Sequence, residues 1–145
     1  MEFQFGPDII KSYKRLSYSP WHAIAELVDN STQAYFNNQE LLDERYELNN
    51  EKLEVVIAYD KEADIIRISD NSIGMSLTEL EDALHIGKTT ERTAGRSKYG
   101  MGLKTSACWI GNFWTVRTKK FGETTEYYIK VDVEEVANGN KTIAV

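Results

Sequence analysis

Cysteine is nearly missing from this chain. Cys108 is the only one, so no intrachain disulfide can form, and its apolar surroundings read as a buried thiol. The two histidines, His22 and His85, lie apart from each other and from any carboxylate–cysteine cluster, which removes the usual spacings for zinc and for a proton relay. No apolar run approaches membrane-spanning length, and the start, MEFQFGPDII, lacks a basic stretch followed by a long apolar one. Positive charge is in deficit: the net charge is -6 and the pI about 5.0. That balance opposes a grip on nucleic acid or an anionic membrane by this domain alone. There is no internal repeat and no low-complexity segment. What remains has the apolar and charged content of a soluble globular protein, and its 145 residues fit one domain, residues 1–145. A cytoplasmic location is the expectation, or a nuclear one if the cell is eukaryotic.

The apolar spacing supplies the elements. Residues 3–18 read as a short helix or a strap. Ser19-Pro20 places a capping residue before a proline at the first helical position, and a long helix is expected to about residue 36. Residues 37–50 are polar, with a short helical piece near 41–46. Residues 53–59 and 64–70 are rich in β-branched side chains and turn around Asp60, which predicts a hairpin. Ser76 and Glu79 form a capping box that opens a helix to about residue 86. A further helix is expected over 101–110, then strands over 113–120 and 125–133. The end, residues 141–145, reads as a strand that stops abruptly, so the chain is expected to be the front part of a longer protein. The order predicts an α+β fold, a two-layer sandwich with helices on one face of a mostly antiparallel sheet.

Three clusters carry chemistry. Glu26 and Asn30 are one helical turn apart on one face. They can be two solvent-facing residues, or a carboxylate that deprotonates water beside an amide oxygen that ligates a hard ion such as Mg²⁺. Asp70 shares a strand face with Ile66 and Ile68; if those point inward, its carboxylate needs a donor, for which a purine amine would serve. Gly74 either makes an ordinary turn or lets a planar base approach the backbone. Finally, Lys88, Arg92, Arg96, Lys98 and Lys104 stand against Glu91 alone around Gly100 and Gly102, which open the helix at 101–110. Free amides at a glycine-opened helix start attract phosphate, and Lys104 is either an added charge there or a solvated lysine.

With these residues in view, the chain resembles the GHKL superfamily of ATP-binding domains, the Bergerat fold, over roughly residues 18–110. Glu26-Leu-Val-Asp-Asn-Ser31 is similar to its N box, residues 70–75 to its adenine box, and Lys98-Tyr-Gly-Met-Gly-Leu-Lys104 to its glycine-rich motif. The wording is nearest to MORC-type and chaperone-type ATPases. The resemblance implies Glu26 as general base, Asn30 as Mg²⁺ ligand, Asp70 as acceptor for the adenine amine and Ala34 beside the nucleotide. Gly74 and Met75 of the adenine box join it as nucleotide-binding residues. So do Tyr99, Gly100, Met101, Gly102 and Leu103, with Lys104 adding charge to binding and catalysis. It further implies ATP with Mg²⁺ as ligand, slow hydrolysis, and ATP-dependent homodimerisation through the N-terminal segment. C-terminal domains and partner proteins stay undefined. A non-hydrolysing nucleotide module and a histidine-kinase-type catalytic domain are the alternatives. Ser72 stands where the adenine box has its first glycine, and no threonine-bearing closing strand is evident before Val145.

Overall fold

The computed structural model describes residues 19–84 and 102–139. The expected straps and strands at 3–18 and 141–145 lie outside those residues.

The first helix, α1 (Pro20–Asn37), begins where the Ser-Pro pair predicts. Ser19 is extended (φ -82°, ψ 149°) and its N–H donates to His22 Nδ1 at 3.4 Å, so His22 closes the helix start. The residues that α1 buries are Ala23, Glu26 and Ser31, small or polar in each case, while Trp21 is 67% exposed. A helix that buries a carboxylate and a hydroxyl and displays a tryptophan is not arranged for packing alone.

Residues 39–49 form a fuller helix than the short piece expected: α2 (Gln39–Asn49) ends on Asn50 in the left-handed region (φ 54°), where the Glu51 N–H reaches back to the Tyr46 carbonyl at 2.8 Å. Leu42 and Tyr46, four apart, bury with Ile73 as a small core against Ala34, Tyr35 and Leu53. The hairpin β1 (Val55–Asp60) and β2 (Ile65–Asp70) pairs antiparallel with Ile57 opposite Ile68 and Tyr59 opposite Ile66. Ile66 departs from the inward reading: it is 40% exposed and its partner Tyr59 59%, whereas Ile68 is half-buried. Among the described helices, α1 is the one that packs closely on β2, and the bond that joins them is at its Asp70 end.

The capping box opens α3 (Leu77–Leu84): Ser76 N–H donates to Glu79 Oε2 at 2.7 Å and Glu79 N–H to Ser76 Oγ at 3.3 Å. After it come α4 (Leu103–Ile110), β3 (Phe113–Thr118) and β4 (Tyr127–Asp132), the strands pairing antiparallel with Val116 opposite Ile129. The second strand stops earlier than expected, because Asp132 caps a short helix, α5 (Val133–Ala137), by accepting the Glu134 and Glu135 N–H groups. Leu80, Leu84, Cys108, Ile129, Val131, Val133 and Val136 make the main core. Each such aliphatic side chain contributes roughly 1.5–3 kcal/mol of burial.

The fold is α+β with antiparallel strands, as expected, and among the described residues these form two two-stranded sheets. The turn after β2 joins them: Phe121 N–H donates to the Ile73 carbonyl at 2.8 Å and Met75 N–H to Thr118 Oγ1 at 2.9 Å. No helix among the described residues is long and apolar enough to cross a membrane.

Candidate functional site

Two of the three sequence clusters meet through one hydrogen bond. Ser31 follows Asn30 on α1, and its hydroxyl donates to Asp70 Oδ2 at 2.6 Å. The Leu27 carbonyl, 3.3 Å from the same oxygen, is the weaker acceptor for its single proton. Asp70 Oδ1 accepts the Ser72 N–H at 2.9 Å. The carboxylate therefore has a protein donor on each oxygen and lone pairs left for a third, and Asp70 lies exposed at the end of β2. Asp70 thus departs from the inward reading together with Ile66, because no described element closes over that end of β2, and that Ser31 supplies a donor was not legible in the sequence. Its signal is a buried hydroxyl in mid-helix, where serine competes with the helix unless it has a partner elsewhere.

The third cluster reaches the same helix by packing. Among the described helices α1 packs most extensively against α4, whose first turn follows Gly102. Gly102 has φ -71° and ψ -177°, and a methyl built on it meets none of the described residues within 4 Å. Glu26 is 6% exposed on α1, and Asn30 is exposed one turn further on. Ala34, a turn beyond, packs against the small core of Leu42, Tyr46 and Ile73. Tyr99, Gly100 and Met101 lie outside the described residues.

Three expectations change. Gly74 has φ +69°, and a Cβ there would stand 2.0 Å from the Lys119 carbonyl oxygen. The glycine is therefore required by the chain's own close approach, with no need to invoke a base. The Met75 N–H is already used by Thr118, and its side chain packs on the main core beside Leu103. Lys104 is not a charge held out to solvent: it is 2% exposed, and its ammonium donates to the Leu84 carbonyl at the end of α3. Burial lowers its pKa from 10.5 to about 8. The physical reason is geometric, since its α-carbon lies on the face of α4 that packs inward with Cys108, four residues on. Burial also raises the Cys108 pKa to about 11, so the thiol stays protonated.

A nucleotide with Mg²⁺ fits this donor set. Among the described residues no group of three His, Cys, Asp or Glu side chains could hold a metal by itself. One exposed carboxamide suits an ion that keeps most of its waters and takes its other ligands from phosphates. A helix opened by a glycine, as α4 is by Gly102, suits the phosphates themselves. Two shallow concavities lie on the described residues, one away from the site beside Glu44, Glu47 and Leu48, the other adjoining the Asp70 turn between Arg45, Ser72 and the turn at Phe121.

An α+β domain that ties a helix bearing a carboxylate and a carboxamide to a strand-end aspartate and packs it on a glycine-opened helix has the organisation of an ATP-binding domain. Residues 18–144 match the family of histidine kinase-, DNA gyrase B- and HSP90-like ATPases, and the chain belongs to that family. It is 29% identical to the ATPase morc-1 of Caenorhabditis elegans over 122 residues, 84% of this chain and 13% of the relative. It is 40% identical over 89 residues to the chaperone protein HtpG of Pseudoalteromonas translucida, 52% of this chain and 14% of the relative. The chain thus spans about a seventh of the length of either. No solved structure gives a significant match. The GHKL resemblance seen in the three motifs holds, and ATP is the ligand of the family.

Proposed function

We propose that this chain binds Mg·ATP between α1, the Asp70 turn and the start of α4, hydrolyses it slowly, and serves as a nucleotide-driven conformational or dimerisation switch within a larger cytoplasmic protein. The observation that carries the reading is the Ser31–Asp70 bond, because it couples the helix bearing Glu26 and Asn30 to the turn expected to hold the base. Asp70, with its two oxygens oriented by Ser31 and Ser72, accepts the exocyclic amine of adenine. The amides of Gly102, Leu103 and Lys104 receive phosphate oxygens, and the Asn30 side-chain oxygen holds the ion. Mg²⁺, when bound, offsets phosphate charge. The Glu26 carboxylate orients a water and takes its proton as the water oxygen bonds to the terminal phosphorus. The bond from that phosphorus to the bridging oxygen breaks, and ADP and phosphate leave.

The test is Glu26→Ala. Mg·ATP should bind with little change while turnover falls by about 10²–10⁴-fold, the usual contribution of a positioned base. Unchanged turnover would remove Glu26 from the mechanism. The burial of Glu26 favours one second reading, a module that holds nucleotide without turning it over. Wild-type turnover no higher than the background without protein, with binding intact, selects that reading.

A further inference from the structure

Lys104 occupies an odd place for a lysine. A four-carbon stem normally lets the ammonium reach water from almost any helix position, yet here the whole side chain is 2% exposed. It also lies in the first turn of α4, where the helix dipole disfavours a cation. Its own helix therefore gains nothing from the charge. The beneficiary is α3: Leu84 is the last described residue of that helix, and a cation toward a helix's C-terminal side is favoured by both hydrogen bonding and dipole. Leu84 and Lys104 are 20 positions apart in the chain, and α3 and α4 contribute Leu80, Leu84 and Cys108 to one core. The bond thus joins α3 to the first turn of α4, the turn that follows Gly102.

We infer that Lys104 is a positioning residue: by holding the Leu84 carbonyl from inside the core, its amine sets the first turn of α4 and so the aim of the Gly102–Lys104 amides at phosphate, without touching the nucleotide itself. This rests on the ATP-binding reading above. The lowered basicity that burial gives the amine is consistent with it.

The inference separates from direct phosphate contact in two measurements on the full chain. In amine labelling followed by mass spectrometry, Lys104 should stay protected with and without Mg·ATP while exposed lysines such as Lys119 react. Reaction in the free chain followed by protection on adding Mg·ATP overturns the inference. In Lys104→Met, which keeps the stem and loses the donor, the KM for ATP should rise on the order of tenfold with kcat nearly kept. The dependence of ATP affinity on salt should be unchanged, because no charge facing phosphate is lost. An unchanged KM, or a shallower salt dependence, overturns it. Should Lys104→Met fail to fold, the labelling result on wild type decides alone. Absence of ATP binding by the wild type is a separate outcome and sinks the ATP-binding reading instead.

Discussion

Gly74→Ala tests whether the joint between the two sheets is as tight as the geometry requires. The added methyl would sit 2.0 Å from the Lys119 carbonyl oxygen and 2.7 Å from its carbon, both backbone atoms that cannot rotate away. The residue also holds φ +69°, a conformation that costs an alanine about 1–2 kcal/mol. Forcing the two backbones apart adds about 1–3 kcal/mol, the range for overpacking, and strains the neighbouring Met75–Thr118 and Phe121–Ile73 bonds. The loss of glycine's freedom in the unfolded chain returns about 0.4–1 kcal/mol. The net expectation is a destabilisation of about 3 kcal/mol, which for a domain of this size lowers Tm by about 10 °C. Circular dichroism melts of wild type and variant measure it. Gly102→Ala is the contrast: its methyl meets none of the described residues within 4 Å at φ -71°, and losing the glycine cap costs only about 0.5 kcal/mol. That variant should melt near the wild type but bind Mg·ATP more weakly, since the methyl stands before the α4 amides. A Gly74→Ala protein that melts within about 2 °C of wild type would refute the account of the joint.

Two further outcomes follow from named contacts. Ser31→Ala removes the donor to Asp70 Oδ2; with Asp70 partly solvated, stability should fall by about 1 kcal/mol in urea denaturation. Its larger effect should be weaker nucleotide binding in calorimetry, because the carboxylate is no longer oriented from α1. Glu79 is held below its ordinary pKa of 4.5, first by the Lys120 ammonium at 2.6 Å and then by the Ser76 N–H. A depressed carboxylate stabilises above its unfolded value and loses that contribution as pH falls through the folded one. The stability gap between wild type and Glu79→Gln should therefore be constant above pH 4.5 and close below it. With Glu79 half-exposed the gap is about 0.5 kcal/mol, and a gap that widens on acidification contradicts the assignment.

Much of the architecture was legible because its signals are local. Ser19 before Pro20, and Ser76 three before Glu79, mark two helix starts whose hydrogen bonds close within a single turn. The hairpin over 55–70 follows from β-branched runs around Asp60, whose carboxylate accepts the Glu62 and Ala63 N–H groups in the turn. The helix α5 escaped because Val133 continues the apolar alternation of β4, and only the capping by Asp132 ends the strand. The outward position of Ile66 escaped because alternation says which residues share a face, without saying which elements cover it.

The sequence by itself determined which groups this protein has to work with: a carboxylate and a carboxamide one turn apart, an aspartate closing a strand, and a glycine opening a helix, in an order shared with the family. Tertiary structure alone decided how they are used. It gave Asp70 its donor from Ser31, set Gly74 against Lys119, and turned Lys104 inward to Leu84. The physical reason is range. Caps and turns act over three or four residues, whereas these contacts join positions 39, 45 and 20 apart, and only a packed chain brings such groups within bonding distance.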